Sequence, residues 1–147
     1  MKCAFLVLIL LFSSCKGQEK RGRQQDVSEQ ENLMQLIESD FYSGTDEEGA
    51  IVVTDRKSLL KFYAQVNRTR KPGLAVPEVD FSKEMLLIYC AGKQQGASLP
   101  RLFVKNTSDS RLVLGVETTK EETSSTALTS PFSIYSLPLT QKQIIVE

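Results

Sequence analysis

The residues of this chain that can carry chemistry are few, and histidine is not among them. The 147 residues include three cysteines and no histidine. Hydrolases of the Ser-His-Asp and Cys-His types need an imidazole as general base, so both types are excluded. Zinc sites with histidine ligands are excluded too, and Cys90, the only cysteine after Cys15, cannot form an all-cysteine site. Since phosphate-binding and dinucleotide-binding loop motifs are also missing, we expect no catalytic residue, metal or cofactor.

Carboxylates are the remaining acid–base groups, and they cluster in two places. Asp46, Glu47 and Glu48 form one run, and Glu121 and Glu122 form the other. A glycoside hydrolase needs two carboxyl groups that face each other about 5–9.5 Å apart, usually with one pKa raised by burial. Acidic runs in polar loops are more often simply solvated. A carboxylate-based hydrolase is therefore the minor alternative, and the sequence predicts a protein that is not an enzyme.

Cys90 and Cys15 differ in their surroundings. Cys90 lies in the apolar run MLLIYCAG and is interpreted as a small buried hydrophobe rather than a nucleophile. Cys15 ends the stretch LFSSC, which follows a positive residue, Lys2, and an apolar run over residues 4–12. As a helix that run spans roughly 14 Å, too short for a bilayer core of about 30 Å. It is typical of a secretory signal peptide, which is removed on export.

The junction at Cys15 predicts a lipid anchor. LFSSC resembles a bacterial lipobox, in which the cysteine becomes the new N-terminus and carries acyl chains; Phe12 stands where leucine is usual. The alternative is an ordinary signal peptide with an incidental cysteine. Several acyl chains would anchor the protein stably, since each buried methylene contributes about 0.8 kcal/mol. We expect a lipoprotein signal peptide over residues 1–14 and attachment to the membrane through Cys15.

The segment after Cys15 is polar and has little to bury. Residues 15–28 are rich in Gln, Lys, Arg and Glu, and such composition does not offset the entropy of ordering, so we interpret them as a flexible tether. Residues 29–147 then form a single domain on length grounds. The chain has 18 basic and 18 acidic residues, which provides no basic footprint for nucleic acid. Charges soon after Cys15 favour the outer membrane of a Gram-negative cell envelope.

The elements that must position any site are mostly strands. LMQLIESDFY (residues 33–42) fits a strand or a short helix, and the turn residues after it favour a strand; AIVVT (residues 50–54) is a second strand. A helix follows, capped by Thr54 or Asp55. Its apolar residues Leu59, Phe62, Tyr63 and Val66 share one stripe, and the basic residues opposite are interpreted as solvated surface rather than an anion site.

From residue 85 onward the pattern is β. Residues 85–91 are continuously apolar, as in a central strand covered on both faces, and residues 101–105 and 111–117 alternate as a hairpin. The polar composition of residues 118–130 predicts a long loop. Two more short strands follow, and the first is bracketed by Pro131 and Pro138, which favours an edge or strand-end position. We predict an α+β, β-rich fold, a mainly antiparallel sheet or sandwich of about six strands with one amphipathic helix, in which Phe62, Leu86 and Ile88 are buried.

One stretch carries a resemblance to a known family. The segment VPEVDFSKEMLLIYCAG, with Pro77, Asp80 and Phe81, resembles the C-terminal domain of PrcB-type protease-complex subunits. TSPFSIYSLP, with Pro131 and Phe132, is similar to that family's Ser-Pro-aromatic strand. The resemblance covers roughly residues 50–147. The family's usual Gly-Gly-Tyr-like turn is replaced here by KQQGASLP.

The resemblance implies a small exported β-rich domain without catalytic residues. It implies a lipoprotein that associates with a secreted protease and assists its assembly or stability. The residues themselves have a structural interpretation that outweighs a binding role. Pro77 presets the entry to a strand, Asp80 can accept backbone N–H bonds in an Asx turn, and Phe81 can anchor that turn on the core. Pro131 and Phe132 are interpreted in the same way, as strand entry and core aromatic.

The leading hypothesis is therefore a lipid-anchored, non-catalytic accessory subunit that binds a protein, with a secreted protease as the implied partner. Whether such a subunit helps or inhibits a protease is left open. Contact surfaces are expected on loops, at residues 93–100 and 118–130, and specifically at Lys93, Gln94, Gln95 and Gly96. The alternatives are a small-ligand-binding lipoprotein, a structural envelope component and the carboxylate-based hydrolase described above.

Overall fold

The computed structural model describes residues 33–120 and 126–147, which contain nine strands and one α-helix. The helix, α1, spans Arg56–Val66 and is followed by a 3₁₀ turn at Asn67–Thr69. The strands are β1 (Gln35–Asp40), β2 (Glu48–Val53), β3 (Glu84–Ala91), β4 (Gln94–Gln95), β5 (Ser98–Thr107), β6 (Arg111–Lys120), β7 (Leu128–Thr129), β8 (Phe132–Pro138) and β9 (Gln143–Val146). The predicted leader, Cys15, the tether, Glu121 and Glu122 lie outside the described residues.

Helix α1 forms as its sequence pattern predicts. Asp55 is the N-cap residue, and its carboxylate accepts a hydrogen bond from the backbone N–H of Ser58 at 2.9 Å. The four residues of the apolar stripe are buried, namely Leu59, Phe62, Tyr63 and Val66. Helix α1 therefore turns this stripe toward the sheet, and the predictions of its cap and its buried face are confirmed.

The main sheet has four antiparallel strands in the order β1-β8-β3-β2. Strand β3 is central and buried on both faces, as its continuous apolar sequence predicts. Strand β8 lies between β1 and β3, so the edge position is wrong, whereas the alternative prediction that the two prolines mark the strand ends is confirmed. Pro131 precedes β8 and Pro138 is its last residue, so the missing N–H groups of the two prolines remove no bond from the middle of the ladder.

The main sheet has a separate apolar core on each face. Alternate residues of β3 and β8 point to opposite sides because side chains alternate along a strand. On the helix side, Leu86, Ile88, Phe132 and Ile134 pack against the stripe of α1. On the opposite side, the buried residues are Met85, Leu87, Tyr89, Leu102, Val104, Leu112, Leu114, Tyr135 and Leu137. The burial of Phe62, Leu86 and Ile88 is thus confirmed.

The second core is closed by a three-stranded sheet in the order β5-β6-β9. Strands β5 and β6 form the predicted antiparallel hairpin, whereas β9 joins β6 in parallel. The expectation of a continuous loop over residues 118–130 is wrong in part. Strand β6 extends to Lys120, and a further short strand, β7, is formed by Leu128 and Thr129. A layer of helix and two layers of sheet result, and the predicted α+β, β-rich, mainly antiparallel fold is confirmed.

Two buried hydrogen bonds join the two sheets where β5 crosses β8. The hydroxyl of Tyr135 accepts a hydrogen bond from the backbone N–H of Leu102 at 2.9 Å. The hydroxyl of Ser133 donates to the backbone carbonyl of Pro100. Both sites are buried, so each satisfied polar atom avoids a desolvation penalty of about 1–3 kcal/mol. In the described part of the chain, no helix is long and apolar enough to span a bilayer.

Buried tyrosines predict a loss of stability at alkaline pH. Burial is the main reason that the pKa values of Tyr63, Tyr89 and Tyr135 lie above the ordinary value of 10.0. The hydroxyl of Tyr63 also donates to Glu38, and that of Tyr89 donates to Glu48 at 2.6 Å. Because the folded state keeps these protons while the unfolded chain loses them above about pH 10, stability falls as pH rises past that value.

We expect the free energy of unfolding to fall by roughly 1.4 kcal/mol per pH unit for each tyrosine that stays protonated in the fold. Urea unfolding on both sides of pH 10 measures this slope. The free energy of unfolding of Tyr63→Phe should fall less steeply with pH, because only two tyrosines with a raised pKa then contribute to the slope. A slope that is the same with and without the Tyr63 hydroxyl would contradict the prediction.

Candidate functional site

Residues 94–96 and 127–129, which belong to the two predicted contact loops, lie side by side. Strand β4 pairs antiparallel with β7, with Gln94 opposite Thr129 and Gln95 opposite Leu128. The backbone N–H of Gly96 donates to the carbonyl of Ala127 at 2.9 Å. The hydroxyl of Thr129 donates to the carbonyl of Gly96 at 2.8 Å. We call β4 and β7 together the ribbon, and it joins parts of both predicted loops into one surface element.

Two glycines shape the chain on either side of β4. Gly92 and Gly96 have φ values of +71° and +105°, which favour residues without a Cβ atom. A Cβ atom on Gly92 would lie 2.9 Å from the backbone nitrogen of Glu48. The side chain of Gln94 donates to the carbonyl of Ser98 at 2.9 Å and closes the turn toward β5. The position of β4 is therefore set by backbone geometry at both of its ends.

The chain between β1 and β2 supports the ribbon from one side. The backbone N–H of Lys93 donates to the carbonyl of Asp46 at 3.0 Å. The two side chains of this pair are exposed and 3.6 Å apart, so their ion pair contributes little to stability. Ser43, which is buried, donates its N–H to the carbonyl of Ser130 at 2.7 Å. These contacts hold β7 and the start of β4 against the main sheet.

The ribbon presents an apolar side chain beside polar ones. Leu128 is 68% exposed, the largest fraction among the exposed large hydrophobic side chains of the described residues. Gln95, its neighbour across the pair, is also exposed, and so is Lys93. The ribbon therefore exposes one large apolar side chain that is flanked by an amide and an ammonium group.

The acidic groups of the described residues occupy several different settings. Asp46, Glu47 and Glu48 are exposed, and Glu48 is the carboxylate that accepts the Tyr89 hydrogen bond. Two carboxylates that the sequence analysis missed lie on β1, where Glu38 accepts the Tyr63 hydroxyl and Asp40 pairs with Arg70 through both guanidinium nitrogens. The sequence feature that could have identified Glu38 and Asp40 is their spacing of two residues, which places both side chains on one face of β1.

Across residues 33–120 and 126–147, no set of three or more His, Cys, Asp or Glu side chains is arranged to hold a metal ion.

Cys90 lies in the helix-side core and is 2% exposed. Burial raises the pKa of its thiol, although a hydrogen bond with Ser43 acts in the opposite direction. A thiol that stays protonated is a poor nucleophile, because the thiolate is the reactive form. The position of Cys90 is that of a small core residue.

The residues singled out in the two family-like segments lie just before β3 and at the start of β8. Asp80 accepts a hydrogen bond from the backbone N–H of Ser82 at 3.1 Å, as an Asx turn requires. Phe81 is partly buried against the helix-side core, and the carbonyl of Pro77 accepts a hydrogen bond from Arg56. Pro131 and Phe132 are buried at the entry to β8. All of these positions have a structural role.

A groove of about 420 Å³ lies beside that turn. Its lining includes the apolar residues Met34 and Leu137 and the charged residues Asp80, Lys83 and Glu84. Asp80 and Lys83 form an exposed ion pair at 3.0 Å. Hydrogen bonds with Ser82 and with Lys83 hold the pKa of Asp80 below its usual range. The groove is therefore an open surface lined by apolar side chains and by charges of both signs, and it is separate in sequence from the ribbon.

The comparisons with known proteins add no relative to this description. The chain matches no protein family model, no curated protein and no solved structure.

Proposed function

We propose that this chain is a lipid-anchored, non-catalytic protein of the cell envelope that binds another protein through the ribbon. The observation that carries this proposal is the pairing of the two predicted contact loops, which places the 68% exposed Leu128 beside Gln95 on a backbone-defined element. Loops held in place by a rigid scaffold often carry binding residues, and Leu128 gives this loop element an apolar side chain that a partner can cover. The anchor in this proposal is Cys15, and the envelope location follows from the lipobox-like sequence around it.

The class of partner rests on the sequence resemblance. Segments that resemble PrcB-type subunits favour a secreted protease as the partner, with this chain as an accessory subunit. The lack of histidine in the whole sequence supports a role in binding rather than in imidazole-dependent catalysis. A near-neutral chain also has no charge surplus that would favour nucleic acid.

The groove beside Asp80 supports a second candidate function, the binding of a small ligand. Its volume of about 420 Å³ is within the range of ligand sites, and its lining residues carry charges of both signs. A zwitterionic ligand such as an amino acid or a short peptide fits that chemistry. Screening such ligands for a rise in melting temperature tests this alternative, and loss of the rise in Lys83→Ala would assign it to the groove.

A site-specific crosslinking experiment tests the ribbon. We expect a photo-crosslinking side chain at position 128 to capture one protein in near-equal amount from intact cells. Position 139 is the matched control, because Leu139 is 50% exposed and its N–H bonds to Lys83 at the groove. Capture at position 139 but not at 128 would contradict the ribbon and favour the groove.

The role of Cys15 is tested in the same cells. We expect Cys15→Ala to move the protein from the membrane fraction to the soluble fraction, because the acyl chains that supply the anchoring energy are lost. Purified Cys15→Ala protein should still bind the captured partner through position 128. Unchanged membrane association of the variant would contradict the lipid anchor.

A further inference from the structure

Strand β2 forms one outer edge of the main sheet and is unlike the other edges of the larger sheets. It pairs with β3 without a register shift, and from Gly49 to Val53 it carries no charged residue and no proline. Sheet edges expose unpaired N–H and C=O groups, and proteins usually protect them with charges, proline, bulges or short length. By these criteria, and within residues 33–120 and 126–147, β2 is an unprotected edge.

The other three edges of the two larger sheets are protected. Strand β1 has a register shift between Leu36 and Glu38. Strand β5 has a register shift after Val104 and contains Pro100, and Tyr135 occupies the N–H of Leu102. Strand β9 has only four residues. The contrast makes β2 the edge at which an additional strand can pair.

The side chains of β2 provide an apolar surface on both faces of that edge. Ile51 lies opposite Ile88 and faces the helix side, and Val52 lies opposite Leu87 and faces the second sheet. They are 46% and 48% exposed, although their β3 partners are fully buried. An added strand would continue the sheet and cover the exposed part of both side chains, one on each face.

Charge at the start of β2 indicates which strand would fit. Glu47 and Glu48 are exposed at this end of the strand, beside Asp46. Glu48 also accepts the Tyr89 hydroxyl and Asp46 is paired with Lys93, so the three carboxylates and Lys93 together keep a surplus of negative charge here. In an antiparallel pairing, the C-terminal end of an added strand lies opposite the start of β2. Basic residues at that end would complement the acidic group.

We propose that β2 binds an extended segment of the partner protein as an added antiparallel strand, with alternating β-branched residues and a basic C-terminal end. Backbone hydrogen bonds along β2 would supply affinity, and contacts with Ile51, Val52 and the acidic group would supply selectivity. This inference rests on the proposed function, since it names the part of the partner that is recognised.

The test uses the full chain in detergent and a defined peptide. The probe is a short peptide of alternating threonine and valine that ends in Lys-Arg, and its control ends in Glu-Glu. We expect the Lys-Arg peptide to slow hydrogen exchange of the β2 amides and to bind more tightly than the control. The double variant Ile51→Lys/Val52→Lys should weaken binding at least about tenfold, because charges on an edge oppose strand pairing. Leu60→Lys is the matched control, since Leu60 is also 46% exposed but lies on α1.

Several results would overturn the inference. They are unchanged exchange in β2, equal binding of the two peptides, or equal weakening by Leu60→Lys. A dimer of the full chain that dissociates in the double variant would identify a second copy as the occupant instead. The proposed function is judged separately by capture at position 128. Capture that is unaffected by the double variant removes only the β2 inference. Peptide binding without any captured partner removes the proposed function and, with it, the assignment of the added strand to the partner.

Discussion

Replacement of Phe132 by alanine is expected to lower the free energy of unfolding by about 3–5 kcal/mol. Phe132 is fully buried at the start of β8, and its ring meets that of Phe62 edge to face with centroids 5.2 Å apart. The substitution would leave a cavity between the main sheet and α1 that neighbouring side chains fill only in part. Chemical denaturation of the two proteins measures the difference.

Phe41 provides the control for this prediction. It is 41% exposed, so Phe41→Ala removes the same atoms from a site that is already partly solvated. We expect that variant to lose about 1 kcal/mol. Equal losses at the two positions would mean that Phe132 does not have the core role that the structure assigns to it.

Replacement of Gly92 by alanine is expected to destabilise the fold by about 2–3 kcal/mol. The φ of +71° is unfavourable for a residue with a Cβ atom, and that atom would lie 2.9 Å from the backbone nitrogen of Glu48. Because Gly92 links β3 to β4, relief of this strain should displace the ribbon. Hydrogen exchange at Gly96, whose N–H bonds to Ala127, would then become faster.

Gly49 is the matched position for this test. A Cβ atom on Gly49 would meet nothing within 4 Å, and the residue has no positive φ. We expect Gly49→Ala to change stability by less than about 0.5 kcal/mol and to leave exchange at Gly96 unchanged. Similar effects of the two substitutions would show that the turn at Gly92 does not require glycine.

The ribbon lies next to the start of β2, so the two proposed contact sites are neighbours. Asp46 precedes β2 and accepts the backbone hydrogen bond of Lys93, which precedes β4. A partner strand that ends opposite Glu48 would therefore finish close to the ribbon. Joint loss of capture at position 128 and of peptide binding in Ile51→Lys/Val52→Lys is the result that this geometry predicts.

Local patterns in the sequence were enough for most elements and for their buried faces. The spacing of Leu59, Phe62, Tyr63 and Val66 defines one helix face, and Asp55 marks its start through a side-chain bond within one turn. The unbroken apolar run of β3 indicates burial on both sides. These features depend on neighbours a few residues apart, so the sequence states them directly.

Strand neighbours were decided only in the tertiary structure. A period of two predicts a strand and its faces, but every strand offers the same backbone donors and acceptors, so the period does not name the partner. The interior place of β8, the parallel pairing of β9 with β6, and the pairing of Gln95 with Leu128 all join residues far apart in sequence. Such pairings depend on how the two cores close around Phe132 and Tyr135, and on turns such as that at Gly92. The sequence alone determined the lack of an imidazole and the candidate loops. Long-range packing decided that the described parts of those loops pair and that, among the described residues, β2 has no strand on its outer side.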